Sequence, residues 1–284
     1  MWRRFNRRID AQPNPMSEER RRAIIELLES ERRVRVEDLA RRFDVSAVTI
    51  RKDLTELEAR GLLQRTHGGA VPAHKSRFNP SFLEKLELHA AEKRAIAHAA
   101  LEYIREGDAL ILDAGSTTLA LARAMLGRFR HLTVITSSVP IALELAQAGW
   151  DLILTGGHVR GHSLALIGPT AVSALTGFHV DKAFLGATGV TLYEGYSTPN
   201  PLDAQLKQAM MRAADESYVL TDSSKLGRGV LANYARLEDI KLLITDAHAP
   251  ADFIAGLQQR GIAYKLAQPA TVSSDESGRR VTQL

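Results

Sequence analysis

The residues of this sequence best suited to chemistry follow short apolar runs of the kind that form buried strands. One run ends at Asp113 and leads into Gly115, Ser116, Thr117 and Thr118. A helix that begins here directs unpaired backbone N–H groups and the positive end of its dipole towards an anion. An ordinary capped turn between a strand and a helix is the alternative. The five residues are therefore candidates for binding an anion.

Three further segments place glycine or polar residues after strand-like runs or on a nearby helix. Ser137 precedes a predicted helix, and Gly156 and Gly157 lie in a predicted glycine-rich loop that allows close backbone approach. Lys225 follows another strand and can meet a phosphate, whereas Lys207 on a helix could equally be a solvated surface lysine. Because the ligand crevice of an open α/β sheet lies at the carboxyl ends of its strands, we expect these residues to converge there.

The predicted glycine-rich loop also carries Arg160, which can meet a phosphate, and two histidines. His158 and His162 are four residues apart but have no carboxylate nearby to complete a metal site, so no metal or cofactor is expected. The sequence shows neither the nucleophile elbow of the α/β-hydrolases nor the zinc motif of metalloproteases. The absence of these catalytic motifs favours ligand binding without catalysis.

The elements that must position these residues alternate between strand-like runs and helical patterns over residues 81–268. This alternation predicts an α/β domain in which helices cover a mostly parallel sheet. The predicted strands are 109–113, 132–136, 151–155, 182–185, 218–221 and 241–245, and the helices lie around 96–104, 118–125, 140–148, 202–214 and 251–260.

Residues 17–72 show a different pattern, with three short helical segments followed by a strand and a hairpin. This order predicts a winged helix-turn-helix domain. Ser46 can cap the third helix, in which Ile50 and Leu54 share the buried face. The opposite side of that helix and the hairpin are predicted to bind DNA. The predicted contacts are Ser46, Ala47, Thr49, Arg51, Lys52, Arg65 and His67.

Charge is unevenly distributed along the 284 residues. Residues 1–75 carry 17 Lys and Arg against 12 Asp and Glu, whereas the remainder carries 20 against 21. A basic segment favours a polyanion such as DNA, although a solvated helical surface would show the same excess. Residues 1–16 are predicted to be a disordered basic arm, 73–80 a linker and 269–284 a polar tail.

Composition excludes several classes of protein. The sequence contains no cysteine, so disulfides, thiolate zinc sites and cysteine nucleophiles are excluded. Its apolar stretches are far shorter than the roughly 20 residues needed to cross a bilayer, and the first residues do not lead into the apolar core of a signal peptide. We therefore expect a cytoplasmic protein without a membrane partner.

Two groups of motifs together resemble the DeoR family of transcriptional regulators. The DNA-binding head of that family is matched by residues 46–54 (Ser-Ala-Val-Thr-Ile-Arg-Lys-Asp-Leu), 61–63 (Gly-Leu-Leu) and 67–70 (His-Gly-Gly-Ala). Its sensor domain is matched, in order, by residues 113–118 (Asp-Ala-Gly-Ser-Thr-Thr), 155–157 (Thr-Gly-Gly), 186–189 (Gly-Ala-Thr-Gly) and 222–225 (Asp-Ser-Ser-Lys). The resemblance spans about residues 17–266.

The resemblance implies a bacterial repressor whose C-terminal domain is related to ribose-5-phosphate isomerase. Such a domain would bind a phosphorylated sugar or polyol, and this binding would lower the affinity for operator DNA. The implied effector contacts are Gly115, Ser116, Thr117, Thr118, Ser137, Gly156, Gly157, Lys207 and Lys225. The chain departs from the family at Ser137, where asparagine is frequent, and at His158 and His162, so the effector's identity stays open.

Thr188 separates the competing functions. The related isomerases carry catalytic aspartates in this segment, and a threonine hydroxyl cannot act as the general base of an enediol mechanism at neutral pH. A phosphosugar isomerase with a regulatory DNA-binding head is therefore the second hypothesis, and an architectural DNA binder whose α/β domain only oligomerises is the third. Because one winged helix reads few base pairs, we expect a homo-oligomer, either a dimer or a tetramer.

Overall fold

The protein consists of a small N-terminal head and a larger α/β domain, as predicted. The computed structural model describes residues 15–31, 33–60, 62–66, 68–72 and 80–268. The predicted DNA contact His67, the polar tail, and most of the predicted arm and linker lie outside the described residues.

The described part of the head contains three helices and a three-stranded antiparallel sheet, the arrangement of a winged helix-turn-helix. Its elements are α1 Pro15–Glu31, β1 Val34–Arg35, α2 Val36–Arg42, α3 Ala47–Ala59, β2 Leu63–Thr66 and β3 Gly69–Pro72. Strand β3 lies between β1 and β2. Strand β1 was not predicted. It can pair with β3 because residue 69 is a glycine: any Cβ at this position would lie 1.9 Å from the carbonyl oxygen of Val34.

Apolar residues at helical spacing form the core of the head. Ile24 of α1 and Ile50 and Leu54 of α3 have at most 1% of their surface exposed. Burial of each such side chain contributes about 1.5–3 kcal/mol. The predicted cap at the start of α3 is confirmed, since the Ser46 hydroxyl accepts the backbone N–H of Thr49 at 3.1 Å.

Buried ion pairs join α1 to α3. The Asp53 carboxylate accepts from Nε of Arg20 at 2.7 Å and from Nε of Arg21 at 3.0 Å. Arg21 also reaches Glu18 and Glu56. Because buried charges are tolerated only when they are paired and hydrogen-bonded, this network fixes how the two helices meet.

The α/β domain alternates strands and helices along the chain. Its strands are β4 Ala109–Leu112, β5 Thr133–Thr136, β6 Asp151–Leu154, β7 His158–Arg160, β8 Ala165–Ile167, β9 Val180–Gly186, β10 Gly189–Thr191, β11 Gly195–Thr198, β12 Ala214–Leu220, β13 Ala232–Ala235, β14 Leu242–Asp246 and β15 Tyr264–Ala267. Its helices are α4 Phe82–Glu87, α5 Ala90–Ala100, α6 Ser116–Met125, α7 Val139–Leu145, α8 Pro169–Ala174, α9 Pro201–Arg212 and α10 Ala251–Gln259.

Seven of these strands form one parallel sheet in the order β15-β14-β12-β9-β4-β5-β6. The prediction of a mostly parallel α/β domain is therefore confirmed. Strand β15 and the small antiparallel sheet β10-β11-β13 were not predicted. The loop predicted at residues 155–162 is wrong in part, because residues 158–160 pair with residues 165–167 as a β7–β8 hairpin.

The parallel sheet is buried on both faces. Leu110 and Leu112 of β4 pack into one apolar cluster, whereas Ile111 between them packs into the other. Successive side chains of a strand point to opposite faces, so a strand covered on both sides is apolar throughout. Polar groups are consequently concentrated at the strand ends. Among the described residues, no helix is both long and apolar enough to span a membrane.

Candidate functional site

An open cleft of about 930 Å³ lies at the carboxyl ends of β4, β9 and β12. Helices α4, α5 and α9 close its other sides with Lys85, Lys93 and Lys207. The cleft is where the sheet topology places strand-end residues together, as expected for an open α/β sheet. The predicted effector residues that line it are Gly115, Ser116, Thr117, Lys207 and Lys225.

The turn between β4 and α6 presents its backbone to the cleft. Gly115 caps α6, and Ser116 and Thr117 form the first residues of the helix. The Thr118 hydroxyl points inward and donates to the carbonyl oxygens of Asp113 at 2.6 Å and Gly115 at 3.0 Å. Thr118 is fully buried and does not line the cleft, so it holds the turn while the three preceding residues line the cleft.

Lys207 is held at the floor of the cleft by a buried ion pair. Its ammonium donates to Oδ2 of Asp113 and to the carbonyl oxygen of Gly186, while Asp113 also accepts the Gly186 N–H at 2.8 Å. Burial alone would lower the pKa of Lys207, but the adjacent carboxylate of Asp113 outweighs it and raises the pKa above the usual value. Asp113 itself is fully buried and does not line the cleft, so its contact with the cleft is through Lys207.

Lys225 lies beyond the end of β12, near the buried carboxylate of Asp222. Their charged groups are 4.0 Å apart. Burial raises the pKa of Asp222, but the charges of Lys225, His89 and Lys93 outweigh it and hold the pKa at about 2. Asp222 is therefore ionised at all physiological pH values and is a weak base.

Positive side chains outnumber carboxylates in the cleft lining. The lining contains six Lys and Arg residues, namely Lys85, Lys93, Arg160, Lys207, Lys225 and Arg228, and two carboxylates, Asp203 and Asp222. A cleft lined mainly by one sign of charge concentrates ions of the opposite sign. The arrangement therefore suits an anionic ligand.

The sequence reasoning missed the cleft residues contributed by α4 and α5. Lys93 is 5% exposed and donates to the carbonyl oxygens of Lys85 and Leu88 at the end of α4. Burial and the charge of Lys225 lower the pKa of Lys85 to about 7. Both lysines stand in ordinary helical patterns, so only the tertiary fold reveals that they enter the cleft.

Besides Asp113 and Thr118, three further predicted effector residues lie outside the cleft lining, namely Ser137, Gly156 and Gly157. Ser137 is fully buried, and its hydroxyl has no hydrogen-bond partner among the described residues. Gly156 and Gly157 both have positive φ angles, and a Cβ on Gly157 would lie 2.8 Å from the carbonyl oxygen of Ile167. These glycines are therefore needed for the turn and for close packing on β8.

The predicted DNA contacts of α3 divide into exposed and structural residues. Arg51 and Lys52 are exposed, beside Val48, which is 71% exposed. The Ser46 hydroxyl is hydrogen-bonded to Thr49. Ala47 packs against the head core, whereas Arg65 of β2 is exposed and donates to the Thr55 hydroxyl at 2.8 Å.

Comparisons with known proteins find transcriptional regulators that are similar over most of the chain. The putative aga operon transcriptional repressor of Escherichia coli O157:H7 is 39% identical over 249 residues, which cover 86% of this chain and 91% of that protein. The HTH-type transcriptional regulator GlpR of Haloferax volcanii is 37% identical over 86% of this chain and 95% of its own. Ribose 5-phosphate isomerase A of Methanocaldococcus jannaschii aligns over 49% of this chain and 55% of its own, with 21% identity and a TM-score of 0.37.

Two family models match consecutive parts of the chain. The DeoR-like helix-turn-helix domain matches residues 20–76, and the DeoR C terminal sensor domain matches residues 88–247. The first match covers the head and the second covers most of the α/β domain, including nearly all of the cleft. The chain therefore belongs to the DeoR family of transcriptional regulators.

Proposed function

We propose that this protein represses a carbohydrate-metabolism operon and leaves its operator when a phosphorylated sugar or polyol binds in the cleft. The observation that best supports the proposal is the excess of Lys and Arg over carboxylates beside the start of α6. Backbone N–H groups at a helix start and nearby ammonium or guanidinium groups are the donors that bind phosphate in proteins. The similar protein of Escherichia coli is named as a repressor of the aga operon.

Operator binding is assigned to the exposed side of α3. Arg51 and Lys52 point to solvent from a helix whose other face is buried in the head core. The second helix of a helix-turn-helix fits the major groove, where an exposed arginine can pair with guanine. Because one head reads few base pairs, the working unit is proposed to be a homo-oligomer on paired half-sites. Sedimentation of the full-length chain as a monomer at micromolar concentration would contradict this.

The cleft is proposed to bind its ligand without turnover. Thr188 lines it where a carboxylate would be needed as a base. The carboxylates of the lining are otherwise engaged: Asp222 has a pKa of about 2, and Oδ2 of Asp203 accepts the Thr198 hydroxyl at 2.5 Å. With this pKa, Asp222 is not a proton acceptor matched to neutral pH.

The energy required for release from the operator is small. A tenfold fall in operator affinity needs about 1.4 kcal/mol of differential ligand affinity between the two states of the protein. A few charge-assisted hydrogen bonds can supply this amount. By linkage, operator DNA must weaken ligand binding by the same factor.

The test is calorimetric titration of the full-length protein with a panel of phosphorylated sugars and polyols and their unphosphorylated counterparts. We expect binding of at least one phosphorylated compound and none of its counterpart. Gel shifts on a duplex that the protein selects from a random pool should then show release by the same compound. If no phosphorylated compound binds, the proposed function is wrong.

A further inference from the structure

Helix α4 connects the cleft to the head through consecutive residues. It follows the linker and contributes Lys85 to the cleft lining. Two and three residues later, Glu87 forms an ion pair with Arg22 of α1, and Leu88 is 7% exposed within the apolar cluster of the head. One short segment therefore touches the proposed ligand space and the DNA-binding domain.

The segment is also anchored at its beginning. The Ser81 hydroxyl accepts the Glu84 N–H, the Glu84 carboxylate accepts the Ser81 N–H, and the two close a capping box. The Phe82 N–H donates to the carbonyl oxygen of His162 at 2.9 Å, and its ring is buried in a core cluster of the α/β domain. The start of α4 is thus fixed to the α/β domain, and its end is packed against the head.

The end of α4 depends on a second cleft lysine. Lys93 of α5 donates to the carbonyl oxygens of Lys85 and Leu88, where a helix end leaves its acceptors without intrahelical partners. His89 joins α4 to α5 in a left-handed conformation, with φ of 52°, which is uncommon for a residue with a side chain. An anion in the cleft attracts both lysines and so acts on the carbonyl groups that end α4.

We propose that Lys85 binds the phosphate of the effector directly. We further propose that residues 81–88 couple ligand binding in the cleft to the head. This inference rests on the proposed function of the cleft and adds a ligand residue and a route of coupling to it. Lys85 lines the cleft together with Lys225, Arg160 and Lys207, and a bound anion would relieve the repulsion among these like charges. A ligand that favours one placement of α4 over another thereby changes the contacts of Glu87 and Leu88 with the head.

The first experiment measures the affinity of the full-length protein for inorganic phosphate by calorimetry at pH 7. Three variants each remove one positive charge: Lys85→Met and Lys225→Met in the cleft, and Lys241→Met at an exposed ion pair with Glu216 that does not line it. We expect at least tenfold weaker binding for the two cleft variants and an unchanged affinity for Lys241→Met. Lys85→Arg keeps the charge and should restore most of the affinity, and Lys85→Gln replaces Lys85→Met if that variant does not fold.

The second experiment separates binding from coupling. The affinity for the duplex that the protein selects from a random pool is measured with and without saturating phosphate. Sodium chloride of equal ionic strength serves as the reference, because salt alone weakens DNA binding. In the wild type and in Lys225→Met, saturating phosphate should weaken DNA binding by the same factor. In Lys85→Met that factor should fall towards one, because the ligand no longer acts on α4.

Two results would overturn the inference and leave the proposed function intact. One is a wild-type phosphate affinity in Lys85→Met, and the other is a wild-type coupling factor in that variant at saturation. A wild-type protein that binds phosphate without any effect on DNA would also overturn the coupling through α4. A wild-type protein that binds neither phosphate nor any phosphorylated compound would overturn the proposed function, and the inference with it.

Discussion

The head and the cleft both bury charged side chains, but they balance these charges differently. In the head, the Asp53 carboxylate is met by the guanidinium groups of Arg20 and Arg21, and neighbouring glutamates complete the network. In the cleft lining, six Lys and Arg residues stand beside two carboxylates, and a third carboxylate, the buried Asp113, pairs with one of them, Lys207. Charges that the fold balances itself fix the structure, whereas an excess of one sign creates a potential that a ligand can satisfy.

Breaking the balanced network should have the largest effect. Asp53→Ala leaves two largely buried guanidinium groups without their carboxylate and should lower the free energy of unfolding of the head by about 3–5 kcal/mol. Asp38→Ala is the matched control, because it removes an aspartate that is exposed and paired with the exposed Arg41. The control should cost about 0–1 kcal/mol. Urea denaturation followed by circular dichroism measures both, and equal losses would contradict the contrast.

Removing a cation from the cleft, where positive side chains outnumber carboxylates, should leave folding intact and weaken ligand binding. Lys225→Ala should cost about 1.5–3 kcal/mol of binding to the tightest phosphorylated compound, the range for hydrogen bonds to charged groups. Thr117→Ala should act in the same direction. Neither should change operator affinity, so at a ligand concentration that half-releases the wild type both variants should stay bound to DNA. Unchanged ligand affinity in Lys225→Ala, measured by calorimetry, would show that the site is misplaced.

The DNA surface should give the opposite phenotype. Arg51→Ala should lower operator affinity by about 1–3 kcal/mol if Arg51 reads a base, and Lys52→Ala should weaken binding to all sequences alike. Ligand binding should be unaffected in both. Arg128→Ala, an exposed arginine of the α/β domain, is the control for a lost charge. If the variant with both α3 substitutions binds the duplex as tightly as wild type in gel shifts, the assignment is wrong.

The smallest expected effect is the uptake of a proton by Lys85 when phosphate binds. The pKa of Lys85 is about 7 because of burial and the repulsion of Lys225, Arg160 and Lys207, which the attraction of Asp203 only partly offsets. A bound phosphate favours the ammonium form and raises this pKa, so binding at pH 8 should take up as much as about one proton. Affinity should accordingly fall as the pH rises above 7. Calorimetry in buffers of different ionisation enthalpy measures the uptake, which should be absent in Lys85→Met, and equal uptake in both proteins would refute this origin.

The sequence was sufficient where local pattern determines structure. Apolar runs such as 109–112 became the buried parallel strands, and the hydroxyl of Ser46 capped α3 as its position indicated. Strand ends of a parallel sheet meet at one edge, which is why the order of strands and helices along the chain was enough to group Gly115, Thr117 and Lys225.

The sequence was insufficient where tertiary packing decides. Lys85 and Lys93 stand in helical patterns that do not distinguish a cleft lysine from a surface lysine. Ser137 follows a strand, as a binding residue would, but hairpin β7–β8 packs over it, and the Leu166 N–H donates to its carbonyl oxygen at 2.7 Å. The short β10-β11-β13 sheet lacks a long apolar run that could have announced it.

The pairing order of the large sheet has a consequence for the newly made chain. The three strands of the head are complete at Pro72. By contrast, β9 at the centre of the large sheet pairs with β4 and with β12, and β12 ends only at Leu220. Contacts between distant parts of the chain form slowly, and domains near the N-terminus generally fold first during synthesis. We therefore expect the DNA-binding head to be folded on the ribosome before the cleft that would control it exists.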